Sequence, residues 1–393
     1  MSSPPEFDLD YTCANTESVN KFDDVMSAYL GARANVPDLL GALLDDDPNM
    51  PMAICLQGYL LKLAAHPKLE PNLQSFLARA NGLTKINRRE TLHVQALNAW
   101  VEHRDGDALQ HLETILAEYP ADICALRVAH YLHFYRGKGE AMAESTARVA
   151  SAYDEHSNHY GYYLGMHAFG LEESGELDQA EVIGRRAAAL NPADLWAVHA
   201  VAHALYTKED YKAGIDWLRK HEAHWQGTNN FRYHLYWHIA LYYLQQQDFK
   251  SALAIYDTEL VKSLSDDFYL DVCNNASLLW RLEHRGVDVG DRWHEIAEIA
   301  KHHTDDRELV FASLHYLLAL HRTNASELTV AHASLTEWSE QTNDQGLVCE
   351  KVGLHVWSEL ANGSSKTLNR GPWQDELYLV GGSHAQRELF TEL

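Results

Sequence analysis

Two stretches of the chain superimpose on each other at a fixed offset, and that offset, roughly 34 residues, limits the fold more than any single motif. In GMHAFGLEESGELDQAEVIGRRAAALNP (165–192) and VHAVAHALYTKEDYKAGIDWLRKHEAH (198–224), Ala168 falls on Ala202, Leu171 on Leu205, Leu177 on Tyr211 and Ala180 on Gly214. YWHIALYYLQQQDFKSALAIYDTEL (236–260) puts Ala240, Tyr243, Phe249, Ala252 and Tyr256 on the same positions after a slightly longer interval. Small residues recur where two helices must cross closely, and large apolar ones where they bury; the period is helical, not that of a strand. Weaker copies lie at 92–120 and 124–153, while 23–80 and 268–361 read as helix pairs of looser spacing. No alternating strand pattern of any length occurs, so the chain is expected to be all-α.

With Pro120 and Pro192 closing their units, the pattern resembles the tetratricopeptide repeat, in which each unit is a pair of antiparallel helices. The predicted architecture is a tetratricopeptide-like α-solenoid, a superhelix of antiparallel helix pairs. Residues 1–20 are expected to be an N-terminal extension and 21–393 a single array, with the clearest repeats at 124–153, 161–193, 195–225 and 233–262. RRETLHVQAL (88–97), WAVHAVAH (196–203), HLYWHIALYYL (234–244), AIYDTEL (254–260), SLLWRL (277–282), GVDVG (286–290) and GGSHAQRELF (381–390) further resemble the tetratricopeptide repeat protein 38 family, also called StaR-like. That resemblance implies the fold rather than an activity. It also marks His315 as a site residue, although Ser313 stands where relatives often carry Asp, and relatives usually continue past the last stretch through a further helix pair.

Charge narrows the partners. Thirty-two Lys and Arg against 56 Asp and Glu leave a net charge of −24, which repels nucleic acid and anionic membrane surfaces. No run of apolar residues reaches membrane-spanning length, and MSSPPEFDLD lacks the basic and apolar regions of a signal peptide. Cys13, Cys55, Cys124, Cys273 and Cys349 are scattered without CxxC spacing, which suits a reducing cytoplasm.

The chain is rich in histidine, with 24 residues, and some of these recur at fixed spacing. If Ala202 and Leu205 pack, then Trp196, His199, His203 and Tyr206 fall within about 80° of one another, toward the expected concave side. His234 and His238 with Trp237 repeat that stripe, Tyr163 and His167 precede it, and Asp271 and Asn275 follow it. His199, His203, His234, His238 and Asp271 are therefore an expected acid–base set. Tyr163, His167, Trp196, Tyr206, Trp237, Asn275, Arg281, His315 and Arg387 are expected binding residues, the two arginines as carboxylate or phosphate clamps. His221, His224, His302, His303 and His332 fall on second helices or turns and read as surface residues.

HxxxH on a helix can chelate a divalent ion through His199, His203, His234 and His238. HAVAH and HLYWH lack the general-base Glu of the zinc-protease motif, so no cofactor is predicted and a divalent metal stays open. Aromatic walls with a few titratable groups predict a small-molecule ligand, and an enzyme of that kind would use histidine acid–base chemistry for hydrolysis, elimination or isomerisation. The alternative is a scaffold that binds a partner protein or peptide in its groove without catalysis. A homo-oligomer is compatible with either reading.

Overall fold

The structure, a computed structural model, describes residues 9–361. They form α1 (Thr16–Leu30), α2 (Val36–Asp46), α3 (Pro51–Leu63), α4 (Glu70–Gly82), α5 (Arg88–Val101), α6 (Asp105–Glu118), α7 (Ile123–Tyr135) and α8 (Gly139–Arg148). α9 (Tyr160–Glu173), α10 (Leu177–Leu190), α11 (Leu195–Thr207), α12 (Tyr211–His221), α13 (Phe231–Gln245) and α14 (Phe249–Ile255) follow, then a π-helical turn (Tyr256–Leu260) and a short α15 (Val261–Ser263). The remainder is α16 (Tyr269–His284), α17 (Trp293–Ala300), α18 (Val310–Arg322), α19 (Leu328–Trp338), α20 (Asp344–Val348) and α21 (Leu354–Ala361). Among the described residues there is no strand, only an isolated bridge between Arg33 and Thr228, and the fold is all-α with tetratricopeptide-type helix pairs.

One turn closes pair after pair. A residue of positive φ ends the first helix at His103, Gly137, Gly175, Glu209, Gln247, Gly286 and Asn324. At most of them its N–H and the next one reach back to carbonyls of the last helical turn, as in Glu209 N to Tyr206 O and Asp210 N to Leu205 O. This Schellman-type ending satisfies the last helical carbonyls and reverses the chain in few residues. Second helices then start under carboxylate caps, with Asp210 accepting from Ala213 N and Asp248 from Ser251 N. Gln247 is exposed and occupies its left-handed position at the steric cost of a Cβ. Gln247→Gly is expected to raise stability by about 0.5–1 kcal/mol, read as a shift of the urea midpoint at unchanged m-value.

The chain divides into two compact units, one comprising the chain up to Ala64, Lys68–Phe134 and Lys138–Phe231, the other Ala65–Pro67, Tyr135–Gly137 and the chain from Arg232. In the first, the small residues of the repeat sit where helices cross. Ala168, Ala180, Ala197 and Ala202 are fully buried, and Gly184 of α10 leaves room for Val201 of α11, whose Cγ2 a Cβ would approach to 2.6 Å. Ala240 and Ala252 are likewise fully buried in the second. No helix of the described residues is long and apolar enough to cross a membrane.

Candidate functional site

α11 is apolar almost all the way round, so it is buried on every side rather than presenting an open polar stripe. Its start is fixed by Asp194, whose Oδ1 accepts from Trp196 N at 3.0 Å and Ala197 N at 3.2 Å. His199 and His203 are buried in an aromatic box in the first unit. The His199 ring lies 5.3 Å from Phe169, 5.2 Å from Phe231 and 4.1 Å from His203. His203 Nδ1 lies 3.4 Å from Glu172 Oε2, and Glu172, Glu173 and His203 bring ligand atoms within 4.8 Å of one another.

Trp196 joins this box to α7. Its indole N–H donates to His130 Nε2 at 3.2 Å, the Arg127 guanidinium lies 4.0 Å over its ring, and Arg127 donates to Tyr131 Oη at 2.9 Å. Burial, reinforced by the charge of Arg127, holds the His130 pKa well below the ordinary value, which keeps a lone pair for the indole. Tyr163 and His167 belong instead to the α8–α9 seam. Tyr163 stacks on Tyr153 at 4.6 Å and donates to Thr146 O, while His167 Nδ1 meets Thr146 Oγ1 at 2.8 Å. Burial raises the Tyr163 phenol to about 12 and lowers His167. Tyr206 is half-buried against Tyr211.

In the second unit a polar row runs across α13, α16 and α18. His234 Nδ1 donates to Asn274 Oδ1 at 3.0 Å, which leaves His234 Nε2 to accept from His238 Nε2 at 3.1 Å. Trp237 stacks on His234 at 5.2 Å, and Arg281 lies 5.8 Å from the Trp237 ring while donating to Ser277 Oγ. His315 donates from Nδ1 to Phe311 O at 2.7 Å. Burial lowers it to about 4, the Phe311 carbonyl opposes that shift and the Arg281 charge adds to it.

The structure places Asn275 in the core, its amide donating to Asp271 O and Leu260 O, and Asp271 is buried at the start of the same helix. Asn274, one position away, is the partner of His234. The register was readable from Arg281, since positions two helical turns apart share a face. Glu172, Glu173, Phe169 and Phe231 carry no signal in the sequence, because they come from neighbouring elements with no shared motif. The expectation that His221 and His303 lie on the surface is corrected: both are buried, His221 beside the Trp217 ring at 4.3 Å with its pKa lowered by burial to about 4. Arg387 lies outside the described residues.

No family model matches the chain. Among solved structures it is similar to a Rap protein complexed with competence and sporulation factor, at TM-score 0.50 and 12% identity over 82% of this chain and 97% of that one. A TPR repeat-containing protein of Cytophaga hutchinsonii, represented by its C-terminal part, aligns at TM-score 0.34 and 13% identity over 65% and 97%. The TPR domain of P58(IPK) aligns at 0.22 and 12% over 83% and 100%. The first likeness shows the fold. The expectation of a small-molecule ligand is corrected by this comparison: the solved structure that shares the fold at TM-score 0.50 is a Rap protein complexed with competence and sporulation factor.

Proposed function

We propose that the chain is a tetratricopeptide-type scaffold that holds a partner protein or peptide on the polar row of α13, α16 and α18. The observation that carries this reading is the row itself: successive first helices of the second unit offer Trp237, Asn274 and Arg281 beside half-buried His234, Phe311 and His315. A buried guanidinium over an indole is a pre-organised anchor for a carboxylate, and flanking aromatic rings supply the area an extended peptide needs. The preferred ligand is a peptide with an acidic side chain or free C-terminus.

Catalysis by His199, His203, His234, His238 and Asp271 draws no support from the likeness to solved folds. Kinship with the tetratricopeptide repeat protein 38 family rests on the stretches quoted above. Cys55, Cys124, Cys273 and Cys349 are buried free thiols, which fits action in the reducing cytoplasm.

The test is selection from a random peptide library, followed by fluorescence anisotropy with an enriched peptide. Arg281→Ala is expected to weaken binding by roughly 10-fold to 30-fold, the scale of an interface anchor, with the melting temperature measured alongside to separate a binding loss from a folding loss. Trp237→Ala should lose a similar factor. A library that yields no binder, or variants that bind as well as the parent, would refute the scaffold reading.

A further inference from the structure

His66, on the loop after α3, belongs by packing to the second unit, together with Asp267 and His303. His66 Nε2 lies 3.2 Å from Asp267 Oδ2, and His303 Nε2 lies 2.7 Å from Asp267 Oδ1. Two imidazoles thus aim the same ring atom at one carboxylate, and the three ligand atoms lie within 4.8 Å of one another. On its far side, His303 Nδ1 is hydrogen-bonded to Asp306 Oδ2 at 2.5 Å, and its ring stacks on Tyr316 at 4.7 Å.

With an ion among the three ligand atoms, that arrangement would be a carboxylate–histidine–metal relay. A carboxylate behind the imidazole fixes its tautomer and orientation and raises the basicity of the forward nitrogen. Asp306 is nearly buried, its side chain 7% exposed, and its Oδ1 is enclosed with no hydrogen-bond partner among the described residues, so it is committed to this contact rather than solvated. We infer that His66, Asp267 and His303 bind a divalent transition-metal ion, with Asp306 orienting His303 from behind. Two nitrogens and one carboxylate oxygen suit zinc, with the remaining coordination position open to water or a partner's side chain.

The competing account is a hydrogen-bonded ion network that binds no metal. An entering ion displaces the proton that His303 Nε2 shares with Asp267 Oδ1, and the ligand atoms, now at hydrogen-bonding separation, open slightly to take bonds of about 2.0–2.1 Å.

The experiment uses the full chain, stripped with a chelator and titrated with Zn²⁺ alone by calorimetry, with melting temperatures taken before and after. The parent should bind zinc and melt higher with it. His66→Gln, changed on a loop, should take up one equivalent fewer and lose that zinc-dependent rise. Asp267→Asn should behave likewise, which guards against a folding defect in either variant. Asp306→Asn should keep the stoichiometry and bind roughly 10-fold to 100-fold more weakly. No zinc uptake by the parent, or equal stoichiometry and affinity in the parent, His66→Gln and Asp267→Asn, overturns the proposal.

Discussion

Asp122→Ala is expected to remove about 3–5 kcal/mol of stability, a large share of what a folded domain possesses. Asp122 is almost fully buried and collects three donors: Arg89 at 2.7 Å, His93 at 3.0 Å and Ala125 N at 2.8 Å. Arg89 is itself 2% exposed, so alanine at 122 strands a guanidinium in the core. An uncompensated buried charge costs more than the pair contributes, which is why one-sided removal is severe. Burial alone would push the Asp122 pKa up, but the charges of His93 and Arg89 outweigh it and hold the carboxyl far below the ordinary carboxylate range. A depressed folded pKa gives stability that is complete above the unfolded carboxylate pKa and is lost as pH falls through the folded value. The gap between parent and variant should therefore be full at pH 7 and narrow only in strong acid. Urea denaturation at pH 7 reads it; a midpoint unchanged by the substitution would show that Asp122 holds nothing. The same carboxylate starts α7, so its loss also loosens the helix that brings Arg127 and His130 to Trp196.

The pairing of helices was legible because close crossings demand small side chains. Ala168, Ala202 and Ala240 recur at nearly fixed spacing, and all three are fully buried. The turns within pairs were less legible. His103, Glu209 and Gln247 take the left-handed position that glycine marks at Gly137, Gly175 and Gly286, and a side chain at such a site gives no local warning. The histidine stripe was legible as a stripe, but not its environment. Whether His199 meets water or Phe169 and Phe231 depends on the helices before and after its own, and a helical wheel carries no term for them. Asn275 has the four-residue spacing from Asp271, but the side chain that meets His234 is that of Asn274, seven positions before Arg281 and so on its face of the helix. His303 looked like a surface residue because its partners His66 and Asp267 are remote in sequence and fall between regular elements.

Asp194→Asn is expected to make the protein more stable at pH 8 and leave it unchanged near pH 4, the opposite pH profile to that of Asp122. Asp194 is fully buried, and its Oδ2 has no hydrogen-bond partner among the described residues. Desolvation raises its pKa to about 7, against the pull of the Ala197 N–H, the Arg127 charge and the Trp196 N–H. With a raised folded pKa, stability is complete below the unfolded value, where both states hold the proton. It declines by about 1.4 kcal/mol per pH unit as the unfolded chain ionises first. Above pH 7 the native state must carry a buried charge, and the loss levels off at about 4 kcal/mol, an upper figure for a shift of some three units. Asparagine keeps an oxygen for the Trp196 and Ala197 amides, since it is as good a helix cap as aspartate, and it cannot ionise. The variant should therefore exceed the parent by about 2–4 kcal/mol in urea at pH 8, with the two curves converging toward pH 4. Parallel curves across that range would mean that the carboxylate ionises normally in the fold. Because Asp194 caps α11, ionisation above pH 7 tightens its bonds to the Trp196 and Ala197 N–H groups, and the loss of stability comes from the unsolvated charge rather than from the cap itself.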